Sequence, residues 1–351
     1  MKGTTILLDH LGPREAAAMI RDGQLDDLLI DSDDPRPGTI YRARVNRPMK
    51  GQGGLFLDTP DGSAFLRQVR GLSPGEPILV QVTGHAEPGK AIPVTQRLLF
   101  KSRYAIVTPG APGLNVSRAI RDEARRDALL ALAHDTLEGH PVLASDPPAG
   151  LILRSAAEAA EDDAVANDIL AMASLAVRVL EDLSGEPEKL LDGDGPHDLA
   201  WRDWPADADW AEGPGVFAEH GADEMIAALS GPEVRLPGGA SMAIEPTRAL
   251  VAVDVNTGGD SSPAAGLKAN IAAARELPRQ LRLRGLGGQI VLDLAPMPKK
   301  DRRGFESALR AGFRSDDTET ALAGWTPLGL FELQRKRARL PLAGLLSRGG
   351  A

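Results

Sequence analysis

Two aspartates stand at equivalent points of two apolar runs. In "RALVAVDVNTGGD" the run Leu250–Val253 ends at Asp254, and in "GGQIVLDLAPM" the run Ile290–Leu292 ends at Asp293. A carboxylate beside an apolar strand is costly to bury unless something pairs with it. The segment between the two runs, 264–284, reads as a helix closed by Gly287-Gly288. Strand, helix and strand of this length make a βαβ unit, whose strands run parallel in one sheet. Neighbouring strands lie roughly 4.8 Å apart, so two carboxylates at matching heights can share one cation. Hard oxygen ligands, without cysteine or a nearby histidine, favour Mg²⁺ or Mn²⁺ over zinc. Asn256 points to the same face as Asp254 and suits a ligand or phosphate oxygen. The competing reading is that each aspartate caps a loop or a helix, as buried carboxylates commonly do. On the pattern alone, the matched pair makes the two readings about equal.

The composition narrows the setting. The chain has 351 residues and 42% hydrophobic content, enough for two or three domains with their own cores. Cysteine is absent, which excludes disulfides, thiolate zinc sites and thiol catalysis. The six histidines show no paired ligand spacing, so no structural zinc is expected. No apolar run is long enough to span a membrane, and Asp9 interrupts the N-terminal one, so the expected compartment is the cytoplasm. The net charge of −9 hides a polarised chain. Residues 36–103 hold eleven Lys/Arg against four Asp/Glu, and residues 275–314 hold ten against four. Between them, residues 158–224 hold three against nineteen. A single charge run is usually a solvated face, but two basic blocks beside site-like features point to nucleic acid.

Four segments follow along the chain. Residues 1–35 read as strand, helix ("PREAAAMIRDG") and strand. Residues 36–104 alternate in period two around turn glycines, the pattern of a small OB-type barrel. Residues 105–230 are mixed and mostly helical, with loops rich in Pro, Gly, Asp and Trp at 191–215. Residues 231–345 are α/β, with helices at 264–284 and 301–313. Pro278 falls inside the first of these helices and should kink it.

Three stretches carry a resemblance: "VRLPGGASMAIEPTRALVAVDVNTGGD", "LKANIAAARELPRQLRLRGLGGQIVLDLAPM" and "LGLFELQRKR". Together they resemble the catalytic core of the ribonuclease E/G family, which cuts single-stranded RNA with Mg²⁺. The resemblance implies an α/β multidomain fold, with an OB-fold barrel inserted in a ribonuclease-H-like and DNase I-like α/β core. It makes 1–35 and 185–230 pieces of the ribonuclease-H-like part, the latter reshaped, and 36–104 the RNA-binding barrel. It makes 105–184 the 5′-phosphate sensor region and 231–345 the DNase I-like catalytic domain. Asp254 and Asp293 would be metal ligands and Asn256 a positioning residue. Phe56 and Phe65 match two phenylalanines that stack on bases, and Lys90 lies near a family lysine. Arg154 and Ser155 in "GLILRSAAEAAEDD" match the sensor for a 5′-monophosphate, with Arg118 a weaker candidate nearby. Arg282 and the Arg335–Arg337 cluster would line the cleavage site.

Residue by residue, plainer readings compete. A phenylalanine in a small barrel is usually core, and Arg154 could pair with the acidic run at 158–163. The family's zinc-binding cysteine motif is absent, so a monomer or weak dimer is expected in place of a zinc-linked tetramer. The expected activity is Mg²⁺-dependent endoribonucleolytic cleavage. The alternatives are an RNA-binding protein with weak or no nuclease activity, or a DNA-acting phosphodiesterase.

Overall fold

Two consecutive residues of positive φ, Asp22 at 51° and Gly23 at 78°, shape the start of the chain. Such a pair makes the tight turn whose twist suits a β-hairpin. Strands β1 (Thr4–Leu11), β2 (Arg14–Arg21) and β3 (Gln24–Ile30) form an antiparallel meander. The expected helix over "PREAAAMIRDG" is therefore a strand. Ala16, Ala17 and Ala18 are fully buried between β1 and β3, and that packing overrides alanine's helical preference.

The computed structural model describes residues 3–49, 53–67, 71–87, 89–260, 262 and 264–347. It divides into two units, residues 32–207 and the two segments 1–31 and 208–351.

Residues 32–207 begin with β4 (Ile40–Met49), β5 (Gly54–Thr59), β6 (Gly62–Arg67), β7 (Pro77–Val82) and β8 (Ile92–Thr95). Their order is β4-β5-β6-β8-β7, and β7 pairs back onto β4, which closes a five-stranded barrel consistent with an OB-fold. Its interior holds Tyr41, Leu57, Ala64, Leu66 and Val80. Next come β9 (Phe100–Lys101), β10 (Ala105–Pro109), β11 (Gly113–Val116), α1 (Glu123–Leu137), β12 (Ala149–Leu153) and α2 (Asp162–Glu181). A second sheet, β11-β12-β10-β9, packs Val107, Leu151 and Leu153 against Leu129, Ile169 and Ala173 of the two helices. This region is thus less helical than its sequence suggests. Strand β13 (Glu188–Leu191) adds to β4, and α3 (Pro196–Asp203) follows.

In the other unit, β14 (Asp209–Glu212) runs parallel to β1, followed by α4 (Val216–Glu219) and α5 (Ala222–Ala227). Its larger sheet contains β15 (Glu233–Arg235), β16 (Ser241–Pro246) and β17 (Val251–Asn256). Helix α6 (Ala265–Leu283) leads to β18 (Gly288–Asp293), and α7 (Arg302–Arg314) to β19 (Thr320–Trp325), β20 (Phe331–Arg335) and α8 (Leu342–Ser347). The order is β15-β16-β17-β18-β20-β19. β19 is a strand that the sequence reading did not find. Helices α6 and α7 cover one face through Leu277, Leu281, Phe305 and Leu309. Helix α6 runs unbroken through Pro278. Proline has no N–H for the carbonyl of Ala274, and that carbonyl faces Gly312 of α7, where a Cβ would lie 2.7 Å from it. Among the described residues, no helix is long and apolar enough to cross a membrane.

Buried ion pairs tie β3 to the larger sheet. Arg335, only 2% exposed, and Arg282 share the carboxylate of Asp316, which is 1% exposed, at 2.8 and 2.7 Å. Arg339 clamps Asp27 of β3 with both terminal nitrogens. Burial raises the Asp27 pKa, but Arg339 and Arg282 outweigh it and leave the carboxyl below its ordinary value.

Two outcomes follow. Asp316→Ala leaves the buried Arg335 guanidinium without its carboxylate and should cost about 3–5 kcal/mol in urea unfolding. A carboxyl whose folded pKa is depressed adds stability that is present above its unfolded value and lost as pH falls through the folded one. Wild type should therefore lose stability below about pH 4, and Asp27→Asn should lose less of it over that interval, read from unfolding midpoints against pH.

Candidate active site

Asp254 and Asp293 face each other across the parallel pair β17–β18, in the same register as Val253 with Leu292. Alternation along both strands puts Val253, Val255, Ile290 and Leu292 under the helices and leaves Asp254, Asn256 and Asp293 exposed on the open face. The two carboxylates are therefore not buried. Asn256 donates from Nδ2 to Oδ2 of Asp254 at 2.8 Å, which orients that carboxylate. Glu332 of β20 lies opposite Val291, one row away on the same face. Among the described residues, no three His, Cys, Asp or Glu side chains gather closely enough to hold a metal. Two carboxylates side by side are a donor set that fits a hydrated hard cation, which keeps water in its remaining positions.

The loops around the pair are tightly fixed. Asn270 of α6, with 0% exposure, donates to the carbonyl of Ala295 at 2.8 Å and accepts from its amide at 3.0 Å. It thereby pins the loop that leaves Asp293. The sequence reading missed it, although an asparagine between Ala269 and Ala273 on an apolar helix face is the signal of such a clamp. After β17 the chain passes against the β15–β16 turn. Gly258, at φ +64°, leaves no room for a Cβ, which would lie 2.1 Å from the Gly239 carbonyl oxygen.

In the barrel, Phe56 and Phe65 are paired across β5 and β6, with ring centroids 5.4 Å apart. Their neighbours Leu55, Leu57, Ala64 and Leu66 fill the interior, while both rings lie half-exposed outside it. Gly54 lets the Phe65 ring lie across the backbone, since a Cβ there would be 2.4 Å from it. Lys90 is exposed and paired with Glu87 at 2.8 Å.

Arg154 follows β12, next to the end of β11, where the Ser117 amide donates to the Leu153 carbonyl at 2.8 Å. Arg118 and Ser155 are both exposed there. The Arg154 guanidinium is already engaged. It donates to the carbonyls of Arg103 and Arg202, both at 3.2 Å, and to Asp203 at 2.6 Å. Lys101 also holds Asp203, at 2.8 Å. Burial raises the Asp203 pKa, but bonds from Arg202 and Lys101 outweigh it and leave the carboxyl far below its usual range.

The sequence profile of the Ribonuclease E/G family matches residues 100–208 and 207–338. The chain belongs to the ribonuclease E/G family. It is 28% identical to a ribonuclease E of Synechocystis over 92% of its own length, and it spans 55% of that protein. A ribonuclease E of Nostoc is similar at 27%, with 54% of it spanned. Against a ribonuclease G of Escherichia coli the identity is 27%, covering 96% of this chain and 80% of the relative.

Within this family member, the arginines expected at the cleavage site divide. Arg282 and Arg335 belong to the buried ion network around Asp316. Arg337 is exposed. The structure thus brings Asp254, Asn256 and Asp293 together in one unit and sets Phe56 beside Phe65 and Arg118 near Arg154 in the other.

Because both phenylalanine rings lie outside the barrel interior, Phe56→Ala and Phe65→Ala should leave the thermal midpoint nearly unchanged. Each should weaken binding of single-stranded RNA by about 1–3 kcal/mol, measured by fluorescence anisotropy. A collapse of the fold in either variant would mark that ring as structural.

Proposed function

We propose that the chain is a Mg²⁺-dependent endoribonuclease that hydrolyses single-stranded RNA and leaves 5′-phosphate and 3′-hydroxyl ends. The observation that carries this reading is the pairing of Asp254 with Asp293 at one height on the open face of the sheet. Family membership supports the reaction class.

Asp254 and Asp293 would hold the ion. When bound, Mg²⁺ supplies a more acidic water and offsets charge on the scissile phosphate. Asn256 keeps Asp254 in one orientation, so the site is set before substrate arrives. Asn270 does the same for the loop after Asp293. Water attacks phosphorus, the bond to the 3′ oxygen breaks, and that oxygen leaves as a hydroxyl.

In this reading the barrel binds RNA through Phe56 and Phe65, with Lys90 and other exposed basic residues of 36–104 on phosphates. Residues 231–345 form the DNase I-like catalytic part, and the meander β1–β3 with β14 the ribonuclease-H-like part. Arg154, Ser155 and Arg118 in 105–184 read the 5′ end. A terminal monophosphate acts there by displacing Asp203 from Arg154, because the dianion offers more charge than a carboxylate. Without cysteine for a zinc link, the protein works as a monomer or a weak dimer.

Asp254→Asn and Asp293→Asn should each abolish Mg²⁺-dependent cleavage of a 5′-monophosphorylated, AU-rich RNA while leaving its binding within about threefold of wild type. Retained cleavage in both variants would sink the metal assignment. Binding without any cleavage by wild type would leave an RNA-binding protein.

A further inference from the structure

Several arginines of the unit that carries Asp254 and Asp293 are committed to the fold. Arg282, Arg335 and Arg339 pair with Asp316 and Asp27. Arg284 donates to the Leu229 and Gly231 carbonyls, and Arg279 pairs with Glu276. The stretch just after the candidate site differs. Lys299, Lys300 and Arg303 are exposed. Among the described residues, the Arg302 side chain makes no ion pair and no hydrogen bond; its guanidinium lies over the Trp325 ring, 4.0 Å from the centroid. A terminal nitrogen of Arg302 also comes within 3.6 Å of where a Cβ on Gly329 would sit.

Trp325 and Gly329 belong to the tip of the β19–β20 hairpin. The tip is rigid. Thr326 and Leu330 are joined backbone to backbone at 2.8 Å, and the Trp325 indole donates to Glu306 at 2.6 Å. Leu328, at its end, is 92% exposed. By register the tip stands at the same end of the sheet as the carboxylates, with Trp325 and Arg302 on the helix-covered side of that rim beside Phe305 and Phe331 and Asp293 on its open side. Leu292 pairs with Phe331, so the next position along the pair sets Asp293 opposite Leu330. With strands roughly 4.8 Å apart and a rise of about 3.3 Å per residue, Leu328 falls within roughly 10 Å of Asp293.

An unpaired guanidinium held over an aromatic ring is pre-organised for an anion, because little side-chain freedom is lost when it binds. A large apolar side chain almost wholly in water, at the rim of a site for a polyanion with flat bases, suits contact with a base face. We propose that this tip is a subsite for a nucleotide flanking the scissile phosphate, in which Arg302 takes a backbone phosphate and Leu328 lies against the base. Lys299 and Lys300 add the attraction that draws the strand across the rim. The inference rests on the nuclease reading for the identity of the scissile phosphate, and on the geometry alone for the binding.

The test uses the full chain. Binding is read on an Asp254→Asn background with a short single-stranded RNA across a salt series, and so needs no turnover. Arg302→Ala should weaken binding about 3–10-fold and lower the log–log salt slope by about 0.7, the loss of one phosphate contact. Arg302→Lys should restore the slope. Leu328→Asp, at a position too exposed to affect folding, should weaken binding at least fivefold and leave the thermal midpoint unchanged. In the active background, Leu328→Ala should raise KM more than it lowers kcat and shift the distribution of cleavage positions on a defined RNA. An unchanged affinity in Leu328→Asp, or an unchanged slope both in Arg302→Ala and in the exposed pair Lys299→Ala/Lys300→Ala, overturns the proposal. Absence of cleavage by the parent protein counts against the nuclease reading and leaves the salt slope to decide this one.

Discussion

The register between β17 and β18 is the constraint on which the site depends. It sets two carboxylates side by side, and like charges directly opposite each other on a sheet repel. At about 4 Å in a water-like medium that repulsion is about 1 kcal/mol. A slip of one residue in either strand would relieve it, but would also turn that strand's apolar pair, Val251 and Val253 or Ile290 and Leu292, from the helices to solvent. Each of those side chains gains about 1.5–3 kcal/mol from burial. The apolar face therefore wins by a wide margin, and the repulsion is built into the fold. A hydrated divalent cation is the natural relief for such a pair.

Helix α6 is the part that enforces this register from behind. It packs Ala269, Ala273, Leu277 and Leu281 into the core, and its small residues allow close approach. Gly266 lies so near the loop after β18 that a Cβ would sit 1.9 Å from the Pro296 carbonyl oxygen. Asn270 meets the same loop one turn on. The residue before this stretch of loop, Asp293, thus inherits its position from backbone contacts and owes little to its own exposed side chain.

How much of this was legible in the sequence depended on the range of the interaction involved. The paired aspartates were legible, because strand, helix and strand with equal apolar runs admit one parallel arrangement, and β17 and β18 adopt it. The five-stranded barrel was legible in its alternation and its glycines. The strand Arg14–Arg21 is not legible, because three alanines speak for helix in isolation and the Asp22-Gly23 turn that decides the matter reads equally as a helix end. β19 was missed because "TALAGW" has little β-branched character and owes its extended form to pairing with β20. The roles of the arginines were not legible at all. Arg282 and Arg302 lie in one basic block and Arg335 in the later Arg335–Arg337 cluster, and only the fold shows that Asp316 takes Arg282 and Arg335 while Trp325 holds Arg302.

That division has a physical consequence for a chain of net charge −9. A count of basic residues overstates the cationic surface, since each arginine paired with a buried aspartate contributes almost no field outside the protein. Attraction for a polyanion then comes from fewer, better placed cations. Long-range attraction is screened within about 10 Å at ordinary ionic strength, so cations at the rim of the carboxylate pair matter more than those elsewhere in the block. Placing Lys299, Lys300, Arg302 and Arg303 in the few residues after Asp293 puts that attraction where the carboxylates would otherwise repel a phosphate. The acidic stretch 158–224 keeps the average negative and non-specific adhesion low, so that cationic attraction is confined to a few local clusters.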